Sequence, residues 1–467
     1  MNNPCNSPAD TPASGNLANV GITSYQTYPD PGYWARTPHI QDYEGRLRSL
    51  QRHRRPVSLY VHLPFCSQKY SLGIPSLLYL AKSPALTFHY LSILEREFEG
   101  IYEAAGGKIP VNQFYLGKGS ASCLSPLELG ELMAICQQFF DFSHNMEATF
   151  CADPNDCTLE RIQQLADLGF NRASFHLANL RQGQVKTDRE GEKLFLRTRQ
   201  LVERAHHCGF HSVELDVLLG LPGQSPLDVR GIIREISSIR PGRVSFRASM
   251  EARVKSSAPI NPIELGGLFL ASGDEIQESG YCQVGRNYFT LSGDELAYAM
   301  RQGMLRRSLL GYTARKSMEV LGAGMSATSF LEDHYFQNAS AYKDYTELVE
   351  EDMYPLASSY ELSRRDRMGK HLVDDLFSNL RVDPGKFEQE FGEDLESAVP
   401  GVHNRLGRWV DQGLLDGNRS FYRATPEGSF FAPKIATALD PSLASDPSNN
   451  VIKFFQALAE KEESALA

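Results

Sequence analysis

Between residues 58 and 249 the chain alternates short apolar runs with longer stretches whose apolar residues recur every three or four positions. The runs are SLYVHLPF (58–65), VNQFYLG (111–117), EATFCAD (147–153), NRASFHL (171–177), SVELDVLLG (212–220) and RVSFRAS (243–249). Their length and their β-branched and aromatic residues predict strands. Between them, Leu86, Tyr90, Ile93, Leu94 and Phe98 share one helical face, and Leu127, Leu129, Leu132 and Met133 begin another. On the first of these helices, Glu95, Glu97 and Glu99 with Arg96 read as the solvated side. Strands alternating with helices in this way define the α/β class: a parallel sheet covered on both sides, either open or curled into a partial barrel. Ligands of such sheets sit at the carboxyl ends of the strands, so function is expected in the loops that follow them.

After about residue 250 the alternation fades. Residues 361–379, 384–391 and 402–415 read as helices, followed by a hairpin signal, LLDGNRSFYRATPEG (414–428). The expected organisation is a disordered start with an N-terminal lead-in segment (1–50), a barrel with its extension (51–354), a small helical, winged-helix-like domain (355–440), and a linker with a terminal helix (441–467). In that last helix Val451, Phe454, Phe455 and Leu458 share a face, which suits docking on this chain or on a partner.

Composition narrows the function classes. The 467 residues are 42% hydrophobic and 22% charged, enough for a large core, and the formal charge of -10 provides no basic footprint for nucleic acid. No apolar run approaches the roughly 18 residues of a membrane span, and the first 19 residues lack the pattern of a signal peptide. A cytoplasmic protein is the expectation. The eight cysteines are scattered, with no CxxC pair, so reduced thiols are expected. Cys66, Cys123 and Cys151 fall near strand ends, but their spacing matches no metal-ligand pattern, and small apolar filling is the reading for them. Ser174 and His176 alternate on one strand and point to the same face, but no acid is spaced to complete a nucleophilic triad. His403, Asn404 and Trp409 read as capping or interface residues of the C-terminal helices.

The run SLYVHLPFC, ending at Cys66, resembles the opening of the core in radical S-adenosylmethionine enzymes of the oxygen-independent coproporphyrinogen III oxidase (HemN) type. GLPGQ (220–224), DELAYAMRQGMLRR (294–307) with GYT (311–313), LGAGMSATS (321–329) and GITSYQTYP (21–29) are similar to HemN landmarks in order and spacing. The resemblance covers roughly residues 20–440. It implies a partial (β/α)6 barrel with a C-terminal helical domain, a [4Fe-4S] cluster held by three thiolates of a C-x3-C-x2-C-x-C motif, and S-adenosylmethionine on the free iron. It also implies residual cofactor positions at Tyr60, Gly117, Gly119, Arg189 and Asp216, the last on the cofactor ribose, and a porphyrin or haem ligand.

Here the chain departs from the pattern. After Cys66 the motif positions hold Tyr70, Gly73 and Pro75, none a soft anionic donor. The family's GGGTP is GKGSA (117–121), an acidic residue on the third strand is Cys151, the glutamine of GVQ is Ala178, and an Asp-His pair is Asn287-Tyr288. These changes imply loss of the cluster and of radical catalysis, with S-adenosylmethionine binding left open. A pseudoenzyme that binds, chaperones or regulates in or near haem metabolism is the first expectation; coproporphyrinogen III oxidation with a non-standard cluster site is the second. The apolar stretch 71–81 is expected to pack over the strand ends or, together with 451–467, to offer a partner surface.

Overall fold

The structure, a computed structural model, describes residues 28–29, 34–35, 37–66, 78–79, 84–119, 121–177, 189–221, 224–248, 262–316 and 318–440. Of Cys66, Lys118 and Arg189 only the backbone is described. Tyr70, Gly73, Pro75, Ala178 and the segment 451–467 lie outside the described residues, as does the stretch 71–81 apart from the backbone of 78 and 79.

The six predicted runs form six parallel strands: β1 (Val57–Leu63), β2 (Ile109–Lys118), β3 (Phe140–Ala152), β4 (Arg172–Leu177), β5 (Ser212–Leu219) and β6 (Arg243–Ala248). Helices follow them because parallel neighbours need long crossovers: α1 (Ile40–Arg52) precedes β1, and α2 (Pro84–Ala105), α3 (Pro126–Phe139), α4 (Leu159–Asp167), α5 (Arg189–His207), α6 (Pro226–Ile239) and α7 (Pro262–Glu278) follow β1 to β6 in turn. Two of these helices start at the same chemical signal, a Ser-Pro pair. Ser125 caps the amide of Glu128 and Ser225 that of Asp228, each acid returning a bond to the serine amide, with proline at the first helical position.

The sheet continues where the sequence pattern fades. On one side β7 (Tyr281–Val284) and β8 (Tyr288–Leu291) form an antiparallel hairpin against β6. On the other, β11 (Val320–Ala323) lies parallel to β1 and carries the antiparallel strands β12 (Thr328–Leu331), β13 (His334–Asn338) and β14 (Leu356–Glu361). The order is β14-β13-β12-β11-β1-β2-β3-β4-β5-β6-β8-β7. A separate hairpin, β9 (Arg306–Ser308) with β10 (Gly311–Thr313), contributes to the concave side of this sheet. These added strands are only three to six residues long, too short to print a periodicity. The parallel set is therefore seven strands, one more than the pattern predicts.

The main core lies between the sheet's outer face and the helices, with Leu59, Val61, Phe114, Phe150, Phe175, Leu215, Val217 and Phe246 buried in it. A second core joins α8 (Arg364–Asn379), α9 (Pro384–Phe391) and α10 (Val402–Asp411) to a small antiparallel sheet of Arg381–Val382, Leu415–Asn418 and Phe421–Ala424. Trp409 is fully buried there, and His403 stacks on Tyr422 with Nδ1 2.9 Å from its hydroxyl. The strand β14 extends the large sheet, and Tyr360 in it donates to Asp366 of α8 at 3.2 Å.

Two side chains depart from the sequence reading. Leu127 is 73% exposed because it sits in the first turn of α3, ahead of the buried stripe of Leu129, Leu132 and Met133. Glu97, expected on a solvated face, is buried: its carboxylate accepts from Tyr345 Oη (2.6 Å), the Gly324 amide (2.8 Å) and Asn338 Nδ2 (2.7 Å). Burial pushes its carboxyl above the ordinary value against the pull of those three donors. The bonds tie α2 to the β11 turn, to β13 and to the helix Tyr342–Glu350. Glu97→Ala, which strands three buried donors, is expected to destabilise the protein by about 3 kcal/mol, and Glu97→Gln by clearly less, in denaturant unfolding followed by circular dichroism.

Candidate functional site

Strand alternation sends every second side chain to the concave face of the sheet. In β4, β5 and β6 the outward set is apolar, whereas the inward set is Ser174 and His176, Glu214 and Asp216, and Arg243, Ser245 and Arg247. Parallel strands are ordinarily apolar on both faces, so this polar inner face marks the site. The residues line a cavity of about 280 Å³ together with Gln113 and Tyr115 of β2, Glu147 of β3, Tyr288 of β8 and Tyr312 of the β9–β10 hairpin.

Asp216 is the hub. It is 5% exposed, and its carboxylate accepts from His176 Nδ1 (2.8 Å), Ser245 Oγ (3.0 Å) and Arg247 Nε (2.8 Å), with Arg247 Nη2 closing a fork on the second oxygen. Register supplies these partners, because His176 and Ser245 stand beside Asp216 on the two flanking strands. Burial favours the neutral acid, but the Arg247 guanidinium and the His176 bond outweigh it and hold the carboxyl far below its usual range. For His176, burial opposes the charge, yet the bonds to Asp216 and to Cys151 push the imidazole up to about 10. Cys151 in turn donates to Tyr115 Oη at 3.0 Å. Arg247 Nη2 also lies 3.2 Å from His176 Nδ1, a proximity and not a bond once that nitrogen carries the proton shared with Asp216.

Deeper in the cavity, Glu214 accepts from the Tyr288 hydroxyl and lies 2.7 Å from Ser245 Oγ, whose single proton is shared between Glu214 and Asp216, and burial with the adjacent Asp216 charge raises its carboxyl. The floor is ionic. Arg315 (2.8 Å) and Arg172 (3.2 Å) hold Glu147, Arg172 (2.8 Å) and Arg243 (3.0 Å) hold Glu295, and Arg243 holds Asp294. Burial works against the Glu147 charge, but these guanidinium groups keep its carboxyl below the ordinary value.

Asp216, read from the resemblance as a cofactor position, stands beside His176 on the neighbouring strand and bonds its imidazole. Arg247, Glu214 and Tyr115 went unread, although alternation within RVSFRAS and SVELDVLLG was the signal that would have found Arg247 and Glu214. Asn287 and Tyr288 have structural partners, Asn287 Nδ2 bonding the Phe246 carbonyl at 2.6 Å and Tyr288 bonding Glu214.

The structure brings Asp216 into the cavity and Tyr60 close by, buried with its hydroxyl 3.4 Å from His62 Nδ1. Arg189 opens α5, where only its backbone is described, and Cys66 lies in a two-residue bridge with Leu78–Tyr79. The glycines are explained by the chain itself. A Cβ on Gly119 would lie 2.2 Å from the Leu63 carbonyl oxygen and 2.4 Å from that of Phe65, and one on Gly117 would lie 2.5 Å from the Tyr115 ring and 3.2 Å from Cys151 Sγ. Close packing of the chain on itself is enough to require both glycines, and the Asp216 carboxylate is already saturated by protein donors. This arrangement does not fit S-adenosylmethionine. Nor does the donor set fit a [4Fe-4S] cluster: of positions 66, 70, 73 and 75, only Cys66 is a thiol. Among the described residues no group of three His, Cys, Asp or Glu is placed to hold a metal ion, and no helix is long and apolar enough to cross a membrane.

The fold is that of the radical S-adenosylmethionine enzymes of the HemN type. The solved coproporphyrinogen III oxidase (HemN) from Escherichia coli, described as a radical SAM enzyme, superposes with a TM-score of 0.82 at 24% identity, covering 90% of this chain and 97% of that one. In sequence the chain is similar to the oxygen-independent coproporphyrinogen III oxidases of Escherichia coli K12 (28% identical, over 85% of this chain and 88% of that protein) and Salmonella typhimurium (27%, 91% and 95%). The resemblance read from the landmarks therefore holds over most of the chain. No family model matches.

The His176–Asp216 pair sets a pH dependence. A raised imidazole contributes stability that is complete below its unfolded value of 6.5 and is lost as pH rises through about 10. A depressed carboxyl contributes stability present above 3.8 and lost in acid. Stability from the pair is thus greatest between those two unfolded values. Between pH 6.5 and 10 the wild type is expected to lose on the order of 2 kcal/mol that His176→Gln does not lose, in urea unfolding at matched ionic strength.

Proposed function

We propose that this HemN-like chain has kept the scaffold and given up radical chemistry. It acts as a non-catalytic binding, chaperone or regulatory protein in or near haem and porphyrin metabolism, in the cytoplasm. The observation that carries this reading is the donor set at the cluster positions, one thiol followed by Tyr70, Gly73 and Pro75, since iron-sulfur ligation needs several soft anionic donors. The saturated Asp216 supports it from the cofactor side. The tetrapyrrole link comes from the relatives, which are named oxygen-independent coproporphyrinogen III oxidases.

The near full-length match to those relatives favours a second reading. In it the chain is an oxidoreductase of their kind, oxidatively decarboxylating coproporphyrinogen III with S-adenosylmethionine on a cluster held at a non-standard site that includes Cys66.

Iron and sulfide analysis of protein purified and reconstituted without oxygen separates the two. Substoichiometric iron and no reductive cleavage of S-adenosylmethionine are expected; a full [4Fe-4S] complement with cleavage would establish the second reading instead. Cys66→Ala is expected to leave haem binding, followed by absorbance titration, unchanged and to alter stability by no more than about 0.5 kcal/mol. An enzyme would lose its activity with that substitution.

A further inference from the structure

We propose that the His176–Arg247 end of the cavity is a seat for a small oxyanion, a carboxylate or phosphate carried by a small molecule, with Arg247 as its recognition residue. The same guanidinium excludes S-adenosylmethionine.

The argument starts from the two edges of a guanidinium. The edge formed by Nε and Nη2 grips Asp216. The edge formed by Nη1 and Nη2 has the same planar geometry and matches a carboxylate or phosphate equally well. Arg247 lines the cavity with 52% of its side chain open, while Asp216 behind it is 5% exposed. A ligand entering the cavity therefore meets the arginine and not the acid. Asp216 serves to aim it, in the way that a buried carboxylate orients a partner.

Charge points the same way. At this end of the cavity two cationic side chains, Arg247 and His176, face the carboxylate of Asp216, while Asp153, which reaches His176 from the end of β3, has its carboxyl pushed above the ordinary value by burial. The imidazole is held protonated through neutral pH by Asp216 and Cys151. Glu147 and Glu295 do not cancel the excess, because Arg172, Arg243 and Arg315 already pair with them on the floor. Glu214 accepts from Tyr288 and shares the Ser245 proton with Asp216, and burial favours its neutral form. Cys151, on the wall beside His176, donates its thiol proton to Tyr115 Oη. A sulfonium cofactor carries a positive charge and would be placed against this excess with no open carboxylate to receive its ribose. An oxyanion would be placed where it is attracted and where donors are already oriented.

The inference rests on the preceding reading in one respect, the absence of bound S-adenosylmethionine, so the test is run on protein whose iron content has been assayed. Calorimetric titration with citrate, with inorganic pyrophosphate and with S-adenosylmethionine, at fixed ionic strength and neutral pH, reads the seat. At least one of the two anions is expected to bind, which of them deciding between a carboxylate and a phosphate ligand, and the cofactor is expected to give no heat up to millimolar concentration. Arg247→Met is expected to weaken the anion at least about tenfold, and Arg247→Lys, which keeps the charge but not the fork, to weaken it less. If Arg247→Met does not fold, His176→Gln removes the second cation and leaves the fork in place, and a weakened anion is again the expected result. Equal anion affinity in the wild type and the soluble variant, or no binding of either anion, overturns the seat and leaves the pseudoenzyme reading standing. Binding of S-adenosylmethionine by iron-loaded protein overturns both.

Discussion

The buried carboxylate of Asp216 constrains how the strands around it can pair. A charge that deep costs several kcal/mol unless it is paired and fully hydrogen-bonded, and here its donors arrive from the two flanking strands: His176 of β4, and Ser245 and Arg247 of β6. The pairing works only in one register. A slip of one residue in either neighbouring strand would turn His176 or Arg247 to the outer face and drive Phe175 or Phe246 into the cavity. The apolar outer face makes a sheet; the ionic inner face specifies which sheet.

That division explains what the sequence revealed and what it concealed. Strands and helices announce themselves through local periodicity, so β1 to β6 and the stripes of α2 and α3 were legible, along with the landmarks that resemble HemN. Contacts between distant segments leave no local trace. Glu97 is one case: among Glu95, Arg96 and Glu99 it reads as solvated, and only the arrival of Tyr345 and Asn338 from some 240 residues away makes a buried carboxylate tolerable. Asp216 and His176 are another, 40 residues apart in sequence and side by side in the sheet. The strands added after residue 250 were illegible for a different reason. Three to six residues cannot display a period, and their place in the sheet is decided by the edge they find.

The layer of this sheet that supplies stability and the layer that lines the cavity are separate. The outer layer, where Phe114, Phe150, Phe175, Leu215 and Phe246 pack under helices, supplies most of the burial and hence most of the stability. A chain that keeps it keeps the fold, at 24% identity to the solved HemN. The inner layer supplies little apolar burial and must only be neutralised. Its residues can therefore change without loss of the scaffold, provided each buried charge retains a partner.

Gly117 and Gly119 show that close packing of the chain on itself can require glycines at positions the resemblance assigns to a cofactor. Glycine at a strand end lets a ligand approach the backbone, but it equally lets the chain approach itself. Here a side chain at Gly119 would strike the Leu63 and Phe65 carbonyls, and one at Gly117 would strike the Tyr115 ring. Close packing alone is enough to require both glycines. Their presence therefore says nothing about whether a cofactor binds, whereas Asp216 does: a carboxylate that already accepts from a histidine, a serine and both sides of an arginine fork has no lone pair left to offer a ribose without breaking a bond made in a buried site. The diagnostic residue of such a site is the one whose bonds must be exchanged for the ligand to enter, and in this chain those bonds are already made by the protein.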